Sequence, residues 1–351
     1  MTQIHYRMDI QHIEIETEGH HSSIYIGESV TNFSRYVPAN KTIIITDNNI
    51  FTHYGHIFEG YPVIVIGTGE NQKNLQTIDI ILDKMVSFEA DRSWFVLGVG
   101  GGVVSDMAGF AASIFMRGIR FGFVSTTLLS QVDASVGGKN GVNHKGLKNM
   151  IGTFNQPDFV ICDHTMLATL NRREFVGGFA EIIKHGAIKS IIHFIDVENN
   201  IDAALNGQDE VIHKLISDSV KIKAGVVTRD EKEQGERRTL NFGHTLGHSI
   251  EKLTGLHHGE AVAIGMVLEA KISVVKGYLD VNESDRLIAL LLKMGLPIES
   301  PIALPELIKT MHHDKKRDGD SIHFVFLKAL GNAIHEKITF AELDKLVYDL
   351  C

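Results

Sequence analysis

"LGVGGGVVSDMAGF" (97–110) runs from an apolar strand through three consecutive glycines into the start of a helix, and its reading decides the fold. A strand that enters a helix through a glycine turn is the repeating unit of a parallel α/β sheet. Glycine there lets the backbone approach a pyrophosphate lying over the helix N-terminus. The spacing departs from G-x-G-x-x-G, because Val103 follows Gly98 and Gly100, and Ser105 follows Gly100 and Gly102. No acid stands about twenty residues on, where a ribose partner is expected; the nearest is Asp106, inside the new helix. Two readings stay open at this point, a dinucleotide site and a plain tight turn.

On either side of this turn, short β-branched runs alternate with helix-length stretches. "KTIIITD" (41–47), "YPVIVIG" (61–67), "SWFVLGVG" (93–100), "IRFGFVST" (119–126) and "DFVICD" (158–163) read as strands. "NLQTIDIILDKMVSF" and "VVSDMAGFAASIFM" space their apolar residues as helices do. Continuously apolar strands alternating with helices imply a mostly parallel sheet covered on both faces. "HIEIETEGHHSSIYIGES" alternates polar and apolar residues and predicts a hairpin at the sheet margin. Beyond about residue 163 the segments are nearly all helix-like, among them "REFVGGFAEIIKHGAIKSII", "GEAVAIGMVLEAKISVVKG" and "SDRLIALLLKMG". The expectation is therefore an α/β domain over 1–163 and a helical domain over 164–351. Ligands bind at the carboxyl ends of parallel strands, so a helical domain beside that edge would form an interdomain cleft.

Composition limits the function. At 351 residues, 44% hydrophobic and 22% charged, the chain can bury a large core. Its apolar runs are strand-sized, too short to span a membrane, and the N-terminus has no signal-like apolar core. Cys162 and Cys351 make no disulfide framework, which favours a cytoplasmic setting. A net charge of −9 argues against nucleic-acid or anionic-membrane partners, so any anionic ligand needs a local basic cluster. Asp47, at a strand end, could hold a ribose, and "GTGENQKN" (67–74) offers Lys73 for phosphate. "STTLLSQVDASVGGKNGVNHKGLKNMIGTF" (125–154) is too rich in Gly, Asn and Lys for a core helix. Its Lys139, Lys145 and Lys148 suit either an anion-binding loop or a solvated one.

"LNFGHTLGHSIEKLTGLHHGEAV" (240–262) holds four of the 19 histidines. His244 and His248, four apart, share a helical face. His258 stands fourteen residues after His244, about 21 Å along one unbroken helix, too far for a shared ion. Thr254-Gly255 is a helix-ending signal, and a turn there would return His258 to His244. A catalytic zinc commonly adds a carboxylate and keeps one position open. Glu181, in an apolar helix with Lys184 and His185, is the best candidate, although Glu181 and Lys184 also suit a simple intrahelical ion pair.

Six stretches together resemble the 3-dehydroquinate synthase family, within the sugar-phosphate cyclases: "GGGVVSDMAGFAASIFMRGI", the 125–154 run, "REFVGGFAEIIKHG", "LNFGHTLGHSIE", "HGEAVAIGM" and "HDKK", in order over most of 41–320. The resemblance implies a Rossmann-like NAD-binding α/β domain and an all-α metal- and substrate-binding domain, with the active site in the cleft between them. It implies zinc, which cobalt can replace, on Glu181, His244 and His258. His248 becomes an acid/base residue on the substrate side and His257 a neighbour without a chemical role. NAD contacts fall on Asp47, Glu70, Lys73, Gly101, Gly102, Val103, Asp106, Thr126, Thr127, Lys148 and Thr169. Substrate contacts fall on Asp133, Lys139, Asn149, Lys184, Lys223, Arg237, Asn241 and one lysine of "HDKK", taken as Lys315. Arg117 would reach the phosphate from a neighbouring subunit, making a homodimer. The implied reaction converts 3-deoxy-D-arabino-heptulosonate 7-phosphate to 3-dehydroquinate and phosphate. Rival readings are another sugar-phosphate cyclase, a metal-dependent polyol dehydrogenase, or a silent NAD- and zinc-binding module. Ser105, where the family usually has glycine, and Asn140, where threonine is common, depart from the pattern, and adjusted packing is expected there.

Overall fold

The structure, a computed structural model, describes residues 9–17, 19–314 and 320–350. Its strands begin with β1 (Gln11–Thr17), β2 (His20–Ile26), β3 (Thr42–Asp47), β4 (Val63–Ile66), β5 (Phe95–Gly100), β6 (Arg120–Ser125), β7 (Lys139–His144), β8 (Leu147–Phe154) and β9 (Phe159–Cys162). Among them lie helices α1 (Asn48–Tyr54), α2 (Leu75–Ser87) and α3 (Gly102–Ile114). Then follow α4 (Arg172–Lys189), α5 (Ile191–Leu205), α6 (Asp209–Arg229), α7 (His244–Thr254), α8 (His258–Val275), α9 (Val281–Met294), α10 (Leu304–Asp314) and α11 (Phe340–Tyr348), with strands β10 (Ser321–Ala329) and β11 (Asn332–Thr339). The chain divides into two compact units, Met1–Leu170 with Ile212–Thr228, and Asn171–Val211 with Arg229–Cys351.

The first unit is built on a seven-stranded sheet ordered β1-β2-β9-β6-β5-β3-β4, parallel throughout except for the marginal β1–β2 pair. Its central strands are apolar on both faces, as a sheet covered on both sides requires: β5 is buried at all six positions and β9 at all four. On one face Phe95 stacks on Phe159, within a cluster that includes Phe33, Ile44, Leu97 and Ile161. Burying each such side chain contributes about 1.5–3 kcal/mol. Part of the 125–154 run, read as a loop, is an antiparallel hairpin of β7 and β8 that turns at Lys145 and Gly146. Asn140, buried there, donates from Nδ2 to the carbonyls of Gly138 and Asn155. Much of α6 also belongs to this unit. Ser217 donates to Gln11 on β1, and the rings of His213 and His164 meet edge to face, 5.7 Å between centroids.

The second unit is helical around α4, which buries thirteen of its eighteen residues and is therefore central rather than amphipathic. Glu181, Lys184 and His185 lie among those buried residues. One antiparallel hairpin, β10–β11, joins α7, α8, α10 and α11 in the core through Phe324, Phe326 and Ile338.

Candidate active site

In the first unit the expected nucleotide residues gather at the carboxyl edge of the parallel strands, where open α/β sheets bind ligands. Asp47 ends β3 and caps α1 by accepting from the Ile50 N–H at 3.0 Å. Gly101 is the N-cap of α3, Gly102 its first residue, and Val103 follows. The turn is tightly packed as well as flexible. A Cβ on Gly101 would lie 2.9 Å from Thr127 Cγ2, and one on Gly102 2.9 Å from Ala134 Cβ. Ser105 fits here because its Oγ donates back to the Gly101 carbonyl at 3.3 Å.

Lys73 is buried, paired with Asp106 of α3, and donates to Asn149 Oδ1 at 2.5 Å. Burial pushes the Asp106 carboxyl above its usual range, with Lys73 opposing that shift. Glu70 accepts from Asn143 Nδ2 at 2.7 Å and lies 3.8 Å from Lys148 Nζ. Thr126 is buried, Thr127 bonds Ser130, and Thr169 bonds the Tyr54 hydroxyl at 3.0 Å. Asp133 sits in a π-helical turn, and Lys223 of α6 donates to its carbonyl at 2.6 Å and pairs with its carboxylate. Lys139, at the start of β7, is exposed. Asn149 has a φ of 51°, and Arg117, also exposed, has 71° between Met116 at 47° and Gly118 at 113°. Left-handed backbone at two successive non-glycine residues, Met116 and Arg117, is strain that surrounding structure must hold, whereas glycine takes its positive φ freely.

In the second unit three helices bring Glu181, His244 and His258 together. Gly255, with a φ of 71°, ends α7, and α8 starts at His258, so the chain doubles back as its helix-ending signal predicts. The His244 and His258 ring centroids are 5.2 Å apart. Glu181 of α4 is fully buried and pairs with Lys184 one turn on. Its Oε1 lies 3.4 Å from His244 Nε2 and 3.6 Å from His258 Nε2, and one donor atom from each of the three falls within 4.8 Å of the others.

The protonation pattern tests this site for a metal. Burial, with help from Lys184, holds His244 well below the usual imidazole range and so neutral. Its Nδ1 donates to the Phe242 carbonyl at 3.1 Å, which leaves the Nε2 lone pair aimed at a carboxylate oxygen. Two acceptors turned on each other in a buried place fit a cation between them. A carboxylate with two imidazoles is a donor set that suits zinc or cobalt. At His258 burial works downward but is outweighed by Glu181 and Glu251, raising the group to about 9. His248 stands beside the triad, its ring 5.3 Å from that of His244 and 6.3 Å from that of His258. Arg237 is buried, its backbone N–H donates to Asp230 Oδ2 at 2.9 Å, and Asn241 donates to Glu233. Lys315 lies outside the described residues.

Sequence reading passed over several residues here. Glu251, on the His244 and His248 face of α7, places Oε2 3.6 Å from His258 Nδ1 and helps to raise that imidazole. His257, expected to be a neighbour without a chemical role, makes structural contacts: Nδ1 meets Glu174 Oε1 at 2.6 Å, and its backbone N–H donates to Glu260. Arg173 grips Glu260 with two bonds of 2.6 and 2.7 Å. His257 stands where a capping box usually has Ser or Thr, so the local sequence signal for its bond to Glu260 is weak.

Such a fold is shared with solved synthases. A solved 2-epi-5-epi-valiolone synthase from Streptomyces hygroscopicus subsp. jinggangensis, with NAD+ and Zn2+ bound, aligns with TM-score 0.85 and 26% identity over 93% of this chain and 96% of its own. A 2-deoxy-scyllo-inosose synthase, complexed with carbaglucose-6-phosphate, NAD+ and Co2+, aligns with TM-score 0.84 and 25% identity over 96% of this chain and 99% of its own. Residues 63–177 match the family described as 3-dehydroquinate synthase N-terminal, and 178–317 that described as 3-dehydroquinate synthase C-terminal. Curated 3-dehydroquinate synthases are also similar. That of Halorhodospira halophila is 42% identical over 89% of this chain and 91% of its own, and that of Alkaliphilus metalliredigens 41% over 93% and 95%. The chain belongs to the 3-dehydroquinate synthase family.

Proposed function

We propose that this chain converts 3-deoxy-D-arabino-heptulosonate 7-phosphate to 3-dehydroquinate and phosphate, with NAD and one divalent metal, zinc or cobalt in its place. The observation that carries the reading is the Glu181, His244 and His258 donor set beside Lys184 and His248, in a chain of this family. When bound, NAD supplies a hydride acceptor that is regenerated each turnover, and the metal polarises the substrate's hydroxyls.

The chain's own residues do the rest. Lys139, Lys184, Lys223, Arg237 and Lys315 supply the cationic partners that a carboxylate and a phosphate need in a protein of charge −9. Asp133, Asn149 and Asn241 orient the substrate's hydroxyls, and His248 moves protons at the substrate. The first unit holds the nucleotide through Asp47, Glu70, Lys73, Gly101, Gly102, Val103, Asp106, Thr126, Thr127, Lys148 and Thr169. The strained, exposed turn at Arg117 supports a homodimer in which this residue reaches the phosphate of the neighbouring copy. The absence of a disulfide framework supports a cytoplasmic location. Among the described residues no helix is long and apolar enough to cross a membrane.

The test is phosphate release from the heptulosonate with zinc and substoichiometric NAD, while absorbance at the NADH band is followed. Many turnovers per NAD without NADH accumulation are expected. No phosphate release refutes the proposal, and stoichiometric NADH formation indicates a polyol dehydrogenase instead.

A further inference from the structure

Each of the three converging donors sits beside a place where two helices touch backbone to backbone through glycine. Helices α4 and α8 meet at Gly177 and Gly259. A Cβ on Gly259 would stand 2.6 Å from the Gly177 carbonyl carbon and 2.7 Å from its Cα, and would overlap its carbonyl oxygen. The Gly265 position of α8 faces the start of α7. A Cβ there would stand 2.8 Å from the Gly243 carbonyl carbon and 3.0 Å from the Gly247 nitrogen. His258 precedes Gly259, His244 follows Gly243, and Glu181 lies one turn beyond Gly177 on the same face of α4. The α4–α8 meeting is also tied by the Arg173–Glu260 and Glu174–His257 contacts.

From this geometry we infer that Gly259 and Gly265 are positioning residues, whose missing side chains set the spacing of the three donors. The inference rests on the metal reading of the site given above. Its force comes from a comparison of lengths. Because the obstructing atoms are backbone, they cannot rotate aside. Opening the gap to the Gly177 carbonyl carbon alone from 2.6 Å to an ordinary 3.4 Å contact needs at least about 0.8 Å of helix displacement, and the overlapping oxygen needs more. Metal–ligand distances tolerate about 0.2 Å. One methyl group therefore moves His258 away from Glu181 by several times what coordination allows. The crossing is asymmetric, since a Cβ on Gly177 would lie 3.9 Å from the Gly259 Cα, an ordinary contact.

The test is a graded alanine series titrated with Zn2+ alone and followed by Co2+ absorption, neither of which depends on turnover. G259A and G265A are expected to weaken Zn2+ binding by about 10- to 100-fold and to change the cobalt ligand-field bands. G247A, whose Cβ would meet the Ala261 carbonyl oxygen at 3.0 Å, should fall between them and wild type, which keeps the series informative if the two severe variants fail to fold. G177A should bind as wild type does. G331A is the control for plain destabilisation. Its Cβ would strike the Ile191 nitrogen at 2.5 Å on a φ of 89°, with none of the three donors among its nearest atoms, so Tm should drop while the folded protein keeps its Zn2+ affinity and cobalt spectrum. If G259A, G265A or G247A folds and binds Zn2+ as tightly as wild type with unchanged bands, the inference is overturned and the metal reading stands. If wild type takes up no Zn2+, the metal reading fails and takes the inference with it.

Discussion

Replacing Lys73 by methionine tests the charge balance of the first unit, because it keeps the apolar stem and removes one charge. Lys73 is 6% exposed and its partner Asp106 17%, so water can do little to replace the lost ammonium. Breaking a buried ion pair from one side costs about 3–5 kcal/mol. The partial exposure of Asp106, and its freedom to take up a proton, put the expected loss near the lower end, about 3 kcal/mol at pH 8. The sign with pH is fixed by the direction of the shift. The folded Asp106 carboxyl is already raised by burial, with Lys73 pulling against it. Without Lys73 it rises further, so the penalty is full above that raised folded pKa, shrinks as pH falls below it, and is gone only below the unfolded value of 3.8. Urea unfolding of wild type, K73M, D106N and the double variant between pH 8 and pH 5 measures this. K73M should be least stable at pH 8 and recover toward pH 5, and K73M/D106N should be more stable than K73M at pH 8. An equal loss in K73M and the double variant, or a loss independent of pH, would refute the reasoning.

Three further outcomes are expected. Metal analysis of E181Q and H258N should find zinc lost, whereas H248N should keep it while turnover drops; zinc retained in full by E181Q would exclude Glu181 from the donor set. D230A should raise KM at least as strongly as it lowers kcat and leave metal content unchanged. Asp230 accepts from the N–H groups of Gln234, Gly235 and Arg237 at 2.9, 2.7 and 2.9 Å, so its loss frees the loop carrying Arg237; an unaltered KM would count against that role. Glu236 is lowered to about 2 by its bonds to Arg229 and Lys189. Its stabilisation is fully present above the unfolded value of 4.5 and is lost as pH falls from there through about 2. Thermal scans between pH 5 and pH 3 should therefore show a smaller decline in E236Q than in wild type, and equal slopes would contradict this.

What could be read from the residues was local in origin. "KTIIITD", "SWFVLGVG" and "DFVICD" became β3, β5 and β9 with ends shifted by a residue or two, because a strand buried on both faces must be continuously apolar. Gly255 ended α7 as its residue type predicts. The parts that stayed hidden depend on distant partners. Nothing in "DEVIHKLISDSVKIKAGVV" distinguishes a helix that packs in the second unit from one whose residues 212–228 pack in the first. Amphipathic spacing states that a face is covered and is silent on what covers it. The β7–β8 hairpin was obscured by glycine, asparagine and lysine, residues depleted in strands. The alternation in "SIHFVFLKALGNAIHEKIT" went unread amid helical segments, although Gly331 at a φ of 89° marks its turn.

The histidine window shows how a local rule and a long-range contact divide the work. The strongest periodic signal, His244 with His248, does bring two rings close, at 5.3 Å between centroids. Closeness of rings does not choose the converging donors, since His244 and His258 are equally near at 5.2 Å. What separates His258 from His248 is a third element. Glu181, fully buried on α4, presents one oxygen 3.4 Å from His244 and 3.6 Å from His258. A carboxylate in that place is tolerated only with cationic or hydrogen-bonding partners. It has Lys184 beside it and the His258 imidazole in front, while His244 turns a lone pair on it. The buried acid, rather than the density of histidines, therefore defines the centre. The next carboxylate out, Glu251, lies 3.6 Å from His258 Nδ1, on the same helix as His248.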